Sequence, residues 1–199
     1  MNTYKAHIPS EEKYINNIEI DHINRLDTAQ FFDEDTPRNQ EINSILIQIC
    51  KEVLIESYEK GGREAGAVIN IHTKEYVLHE ATQYGLVDFE EDKNSEYYNI
   101  HKNSDNYSCI MIHNHNIKSS FSAQDIVALL RDENAIAIIV ITCNANIFIL
   151  VKEKNKDYSN ILKNINSNYK TDFITPDTRK LMTESGLIER KVTTWENIQ

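Results

Sequence analysis

An apolar segment that ends in two histidines limits the possible folds of this chain more than any other feature. Residues 107–112 are Tyr-Ser-Cys-Ile-Met-Ile, and His113, Asn114 and His115 follow them directly. Apolar residues and strand formers of this kind favour a buried β-strand. Residues i and i+2 of a strand project from the same face of the sheet. We therefore predict a strand at 107–113 whose end directs both imidazole rings into one small volume.

Ser122 and Asp125 mark the start of a helix shortly after the histidines. A serine at the N-cap with an acidic residue three positions later is nearly a capping box, and apolar residues at helical spacing follow it. By itself the pair is more typical of a helix cap than of chemistry, but a capped first turn is also a rigid place for a metal ligand. Catalytic zinc sites use three protein ligands and leave a fourth position for water. His113, His115 and Asp125 are a suitable set.

The rest of the sequence predicts an α/β fold of the α+β kind, with a mixed central β-sheet flanked by helices. The first helix is expected to begin with Thr36 as its cap and Pro37 at its first position, and to end at Gly61-Gly62. The remaining helices are predicted at 122–132, 157–165 and 176–184. The strands are predicted at 65–71, 75–78, 107–113, 135–141 and 147–151. A polar, acidic connection at 83–106 separates the second strand from the third.

Length and composition predict one soluble domain with appendages. The 199 residues divide into an acidic N-terminal extension (1–35), a central domain (36–155) and a C-terminal helical extension (156–199). A net charge of −10 argues against a nucleic-acid partner, since phosphate contacts require clustered Lys and Arg. No apolar run is long enough to span a membrane, no signal peptide follows Met1, and the three cysteines lack paired spacing. We therefore expect a cytoplasmic location.

The His-x-His pair, its spacer and the Ser-x-x-Asp pair together resemble the signature of the JAMM (MPN+) zinc metalloproteases, of the bacterial or phage-associated type. That family includes isopeptidases that remove ubiquitin-like proteins. It also carries a glutamate at the start of the strand after the first long helix, and Glu64 stands there in this chain. The resemblance covers residues 36–154 and implies an MPN-like layered architecture, which cytidine deaminases share. Two departures are Asn116, where many members have proline, and a spacer one residue shorter than the commonest one.

Carried over to this chain, the resemblance implies a metallopeptidase with one Zn²⁺ held by His113, His115 and Asp125. Glu64 would be the general base that takes a proton from the attacking water and passes it to the leaving amine. Ser122 would donate a hydrogen bond to the oxyanion of the tetrahedral intermediate. The implied activity is hydrolysis of a peptide or isopeptide bond in a protein or peptide substrate, with removal of a ubiquitin-like protein as one form of it.

Other functions were weighed against this one. The string His-Asn-His does not indicate an HNH nuclease, because that motif is dispersed through a ββα unit. A zinc nucleobase deaminase needs H-x-E and P-C-x-x-C, and the sequence has neither. Two alternatives stay open, which are a non-catalytic MPN-like interaction scaffold and a hydrolase of small amides or peptides.

Two further expectations concern acidic residues. Glu64 lies beside Arg63 and after a Gly-Gly pair, where a solvated surface charge is common. Its rivals by composition are Glu75, Glu80, Glu90 and Glu91, but none of them stands at the entry to the first strand. We also expect the acidic segment 88–106 to flank the cleft and to determine which partner is bound.

Overall fold

The computed structural model describes residues 16–18, 20–31, 36–80, 96–167 and 174–192. Its strands are β1 (Gly66–Asn70), β2 (Tyr76–His79), β3 (Cys109–His115), β4 (Ala135–Thr142), β5 (Ile147–Val151) and β6 (Ile188–Lys191). They form one sheet in the order β2-β1-β3-β4-β5-β6. β3 and β4 are parallel, and the other neighbouring pairs are antiparallel. The predicted α/β class, a mixed sheet flanked by helices, is confirmed.

The helices are α1 (Ile20–Ile23), α2 (Pro37–Glu59), α3 (Glu96–Lys102), α4 (Ala123–Arg131), α5 (Ser159–Ser167) and α6 (Pro176–Glu184). A 3₁₀ turn, Asn24–Thr28, follows α1. Helix α2 begins as predicted, because the Thr36 hydroxyl accepts a hydrogen bond from the Asn39 N–H at 3.2 Å. It ends at Glu59, just before Gly61 and Gly62, whose φ angles of 72° and 86° suit glycine. None of the described helices is both long and apolar enough to cross a membrane.

The sheet has a hydrophobic core on each face. Because side chains alternate along a strand, Ile112 of β3 and Ile139 of β4 pack on the side of α2, whereas Met111 and Ile138 pack on the side of α4. Helix α2 contributes an apolar stripe, and its fully buried members include Leu46, Ile49, Val53 and Leu54. Helices α5 and α6 complete the second face. β3 and β4 are therefore buried along nearly their whole length between two layers of helices.

Strand β3 is displaced by two residues from its predicted position at 107–113. Tyr107 has a φ of 61°, a left-handed conformation that a regular strand does not contain, so pairing with β1 begins at Cys109. At the other end, pairing with β4 continues through His115. The two histidines therefore lie at the end of the strand, as expected. The predicted strand stopped at His113, whereas the observed strand also includes His115.

Helices α1 and α3 and strand β6 were not predicted. Helix α3 lies within the segment expected to be a polar connection, and Ile100 packs it against Val68 of β1 and Val77 of β2. Strand β6 lies within 156–199, where only helices were expected, and it extends the sheet beyond β5. β6 is mostly exposed and carries charges on successive residues, so its sequence lacks the alternation that indicates a strand.

Replacing Ile139 with alanine is expected to lower the free energy of unfolding by about 2–5 kcal/mol, because it leaves a cavity in a packed core. Ile139 is fully buried at the centre of β4, whereas Ile55 on α2 is 43% exposed. Ile55→Ala is therefore the matched control and should change stability by no more than about 0.5 kcal/mol. Urea denaturation followed by circular dichroism measures both variants. Equal losses would contradict the placement of β4 between two helical layers.

Candidate metal centre

His113 and His115 lie at the end of β3 on the face that packs against α4. Met111, two residues earlier on the same face, belongs to the core beneath that helix. The two histidines are only 4% and 8% exposed. Their ring centroids lie 4.9 Å apart, with an angle of 61° between the ring planes. Strand alternation therefore brings both rings into one buried volume, as the spacing predicted.

Asp125 reaches the two imidazoles from the first turn of α4. Its Oδ1 lies 3.1 Å from His113 Nε2, and its Oδ2 lies 3.4 Å from His115 Nε2. The two Nε2 atoms are 3.1 Å apart. Among the described residues, these three side chains form a group that could hold a metal ion, with one ligand atom from each and all three atoms within 4.8 Å of one another.

Ser122 and Asp125 also form a complete capping box at the start of α4. The Ser122 hydroxyl accepts a hydrogen bond from the Asp125 N–H at 3.1 Å, and the Ser122 N–H donates to Asp125 Oδ2 at 2.6 Å. The cap therefore fixes the carboxylate that faces the histidines, so the structural and chemical interpretations of this pair are compatible. A hydroxyl oxygen that accepts a hydrogen bond keeps its own proton for another acceptor.

A backbone carbonyl orients the ring of His115. Its Nδ1 lies 3.3 Å from the carbonyl oxygen of Ser119, and this contact is a hydrogen bond only if Nδ1 carries the proton. A ring held in this way would present Nε2, once that nitrogen has lost its proton, to a metal ion. Metal-binding histidines are commonly oriented in this way by a carbonyl on their other nitrogen.

The charges at this centre favour ionised groups in spite of burial. Burial alone would lower the pKa of His115, but the hydrogen bond and charge of Asp125, with help from Glu64 and the Ser119 carbonyl, raise that pKa to about 9. Burial would raise the pKa of Asp125, but the charge of His113 and hydrogen bonds from both imidazoles hold it well below its usual value. In metal-free protein at neutral pH, an ionised Asp125 therefore faces a protonated His115.

Glu64 approaches the same centre from the segment before β1. Gly66 pairs with His113 in the antiparallel β1–β3 register, and Glu64 lies two residues before Gly66, near enough to His115, His113 and Asp125 for their charges to act on its carboxyl group. Burial raises the pKa of Glu64, while the nearby charges of His115 and His113 lower it. Glu64 keeps some exposed surface, but its carboxyl group is desolvated, which does not fit a freely solvated surface charge.

The rival glutamates do not share this environment. Glu75, which precedes β2, and Glu80, which follows it, are both exposed. Glu90 and Glu91 lie outside the described residues. Within the described chain, Glu64 is therefore the glutamate that the structure brings to the two histidines and Asp125.

The acidic segment 88–106 was expected to flank this cleft, and for its described part that expectation is wrong. Glu96 and Ile100 of α3 line a surface cavity together with Lys74, in the turn between β1 and β2. His101 contacts Asp132 at the C-terminal end of α4, not at the end that carries Asp125. Helix α3 therefore covers the opposite end of the sheet from the centre. Residues 88–95 lie outside the described residues.

Asn116 stands where many JAMM proteases have proline, and it binds Asn17, near the beginning of the described residues, through two hydrogen bonds. The backbone N–H of Asn17 donates to Asn116 Oδ1 at 3.0 Å, and Asn17 Nδ2 donates to the carbonyl oxygen of Asn116 at 3.0 Å. A proline has no side-chain oxygen to accept the first of these bonds. This contact cannot be predicted from the sequence, because it joins residues 99 positions apart and neither has a distinctive pattern around it.

Comparisons of the chain with protein-family models, with curated proteins and with solved structures found no match. All five residues singled out in the sequence converge on this region, and they are His113, His115, Asp125, Ser122 and Glu64.

A metal ion at this centre is expected to compete with the proton on His115. A pKa of about 9 keeps that imidazole protonated at pH 7, so a metal can bind only when the proton leaves. The affinity of metal-free protein for Zn²⁺ should therefore rise about tenfold per pH unit between about pH 6 and pH 8. Competition with a chromophoric chelator measures the slope. His72→Ala, at an exposed histidine, should leave it unchanged, and an affinity independent of pH would contradict this description of the centre.

Proposed function

We propose that this chain is a zinc-dependent hydrolase of the JAMM type, which cleaves a peptide or isopeptide bond in a protein or peptide substrate. The observation that carries the proposal is the convergence of two imidazoles and a carboxylate beside a second, desolvated carboxyl group. Removal of a ubiquitin-like protein is one reaction of this class. The shorter spacer and Asn116 do not weaken the proposal, since Asp125, held in its capping box with Ser122, still reaches both histidines.

The geometry of the three side chains supports zinc as the metal. Zn²⁺ binds imidazole nitrogen and carboxylate oxygen at about 2.0–2.1 Å, and tetrahedral geometry then separates neighbouring ligand atoms by about 3.3–3.4 Å. The separations here are 3.1 Å between the Nε2 atoms, 3.1 Å from His113 Nε2 to Asp125 Oδ1 and 3.4 Å from His115 Nε2 to Asp125 Oδ2. With one ligand atom taken from each residue, all three atoms lie within 4.8 Å of one another. Three protein ligands are typical of catalytic zinc, because structural sites usually have four.

The residues around the metal ligands match the steps of amide hydrolysis. When bound, zinc lowers the pKa of a coordinated water toward neutrality and polarises a carbonyl group. Glu64 accepts a proton from the attacking water and delivers it to the leaving amine. Burial raises the pKa of Glu64, and a carboxyl group whose pKa lies nearer to neutrality is better suited to both transfers. Ser122 donates a hydrogen bond from its hydroxyl group to the oxyanion, while the hydroxyl oxygen still accepts the hydrogen bond of the helix cap.

The cellular location is a further part of this proposal. No disulfide joins Cys50, Cys109 and Cys143, and all three are buried. Buried thiols without disulfides are typical of a reducing compartment. We therefore place the hydrolase in the cytoplasm.

Metal analysis is the first test of this function. The purified protein should contain about one zinc per chain, and His113→Ala should contain much less, because two remaining ligands hold the metal weakly. His72→Ala serves as the control, since His72 is exposed and should not affect the zinc content. Inductively coupled plasma mass spectrometry measures all three proteins. A parent protein without zinc, even after zinc is supplied during refolding, would contradict the proposal.

Cleavage of an isopeptide-linked ubiquitin-like protein and of a short peptide is the second test. Glu64→Gln should keep its zinc but lose about 10²–10⁴-fold in kcat, since it removes the proton acceptor and little else. Glu75→Gln, at an exposed glutamate, is the matched control and should retain activity. Cleavage of the short peptide alone would favour the small-peptide hydrolase. A parent that holds zinc but cleaves neither substrate would favour the non-catalytic scaffold.

A further inference from the structure

The middle residue of the His-Asn-His sequence is a buried polar group in an apolar layer. Asn114 is completely buried, and strand alternation turns it away from the histidines toward α2. Ile110 and Ile112, its neighbours on that face of β3, belong to the core beneath α2. An apolar residue would suit this position, because a buried amide is costly unless its polar atoms are hydrogen-bonded.

The hydrogen bonds of Asn114 converge on the short segment that contains Glu64. Asn114 Oδ1 accepts from the Ala65 N–H at 2.8 Å, and the Asn114 N–H donates to the Ala65 carbonyl at 3.2 Å. Asn114 Nδ2 donates to the hydroxyl oxygen of Ser57, which is also fully buried, at 3.0 Å. The Ser57 hydroxyl in turn donates to the carbonyl oxygen of Arg63. The residues on both sides of Glu64 are therefore held by one buried network.

The orientation of the Asn114 amide follows from its partners. The Ala65 N–H can only donate, so the oxygen of the amide must face it. The Ser57 hydroxyl already donates to Arg63, so it offers a lone pair to the amide nitrogen. Each group in the network has a compatible partner, and the network connects α2, β3 and the entry to β1.

The Glu64 segment needs such support because its own conformation is weakly restricted. It lies between Gly62, with a φ of 86°, and Gly66, and glycine permits more backbone conformations than any other residue. A general base must come within hydrogen-bond reach of the proton that it accepts, and a displacement of about 1 Å can cost about 10²-fold in rate. β3 carries the two histidines and Asn114 together, so a bond from Asn114 to Ala65 holds Glu64 in register with the metal ligands.

We propose that Asn114, supported by Ser57, is a positioning residue that holds Glu64 over the metal centre. The catalytic part of this inference rests on the proposed function, whereas the structural part does not. Asn114 acts through Glu64 alone and touches neither the substrate nor the metal. Its effect on turnover therefore depends on the presence of the Glu64 carboxylate.

Hydrogen–deuterium exchange tests the structural part without any substrate or metal. Asn114→Ala should increase exchange at residues 63–66 by at least about tenfold, since the Ala65 N–H loses its acceptor. Asn70→Ala is the matched control, because Asn70 is a buried asparagine at the other end of β1 and bonds to Ser104 and to the turn at His72. It should leave residues 63–66 unchanged. Unchanged exchange at 63–66 in folded Asn114→Ala would overturn the proposal.

A double-mutant cycle tests the catalytic part. Asn114→Ala should lower kcat by about 10–100-fold while the KM and zinc content stay near those of the parent, because the ligands remain in place. In the Glu64→Gln background, the same substitution should cause no further loss. An equal loss in both backgrounds would overturn the positioning role. Asn70→Ala should retain the parent kcat.

Ser57→Ala keeps the inference testable if Asn114→Ala does not fold. It removes one hydroxyl group and should raise exchange at residues 63–66 and lower kcat in the same direction, but less strongly. A normal near-ultraviolet circular dichroism spectrum verifies packing in each variant. A parent without zinc and without turnover would overturn the proposed hydrolase, and the exchange experiment would still decide whether Asn114 holds the Glu64 segment.

Discussion

Backbone pairing between β1 and β3 determines the geometry of the whole centre. The register that sets Gly66 against His113 places both histidines on one face of the sheet and Asn114 on the other. It also brings Glu64, two positions before Gly66, close to the histidines and Asp125. Since side chains alternate with a period of two, a slip of one residue would exchange the faces of the histidines and the asparagine. The hydrophobic contacts of Ile112 with the core under α2 oppose such a slip, so core packing also protects the site.

Asp125 combines two interactions that are usually separate. Its carboxylate accepts the Ser122 N–H at the first turn of α4 and faces both imidazoles. An isolated buried carboxylate would be strongly unfavourable, but the cap and the imidazoles offset its desolvation. Because the backbone N–H holds one oxygen, the carboxylate needs little rearrangement to act as a ligand. The rigid first turn of α4 therefore holds the Asp125 carboxylate in a fixed position beside the two imidazoles.

The sequence predicted those parts of the fold that have a strong pattern. Helix α2, with its cap, proline and apolar stripe, and the buried strand β4 were located closely, as was the group of His113, His115 and Asp125. Strand β3 was displaced because the left-handed Tyr107 leaves no mark on hydropathy. Short elements such as β6 are formed by pairing with a distant strand. The role of Asn114 was missed because its partners lie 49 and 57 positions away. A polar residue at a core-facing position of an apolar strand was the only local signal.

The parallel pairing of β3 with β4 explains why Asp125 lies so soon after the histidines. A chain that leaves β3 must travel back along the sheet before it can enter β4 in the same direction, and a helix is the usual means of return. Such a helix has to start near the C-terminal end of β3. Its positive dipole end consequently lies next to the histidines, where it favours an anionic side chain and any negative charge that develops nearby. The crossover helix that the parallel pair requires thus brings a positive electrostatic potential to the C-terminal end of β3.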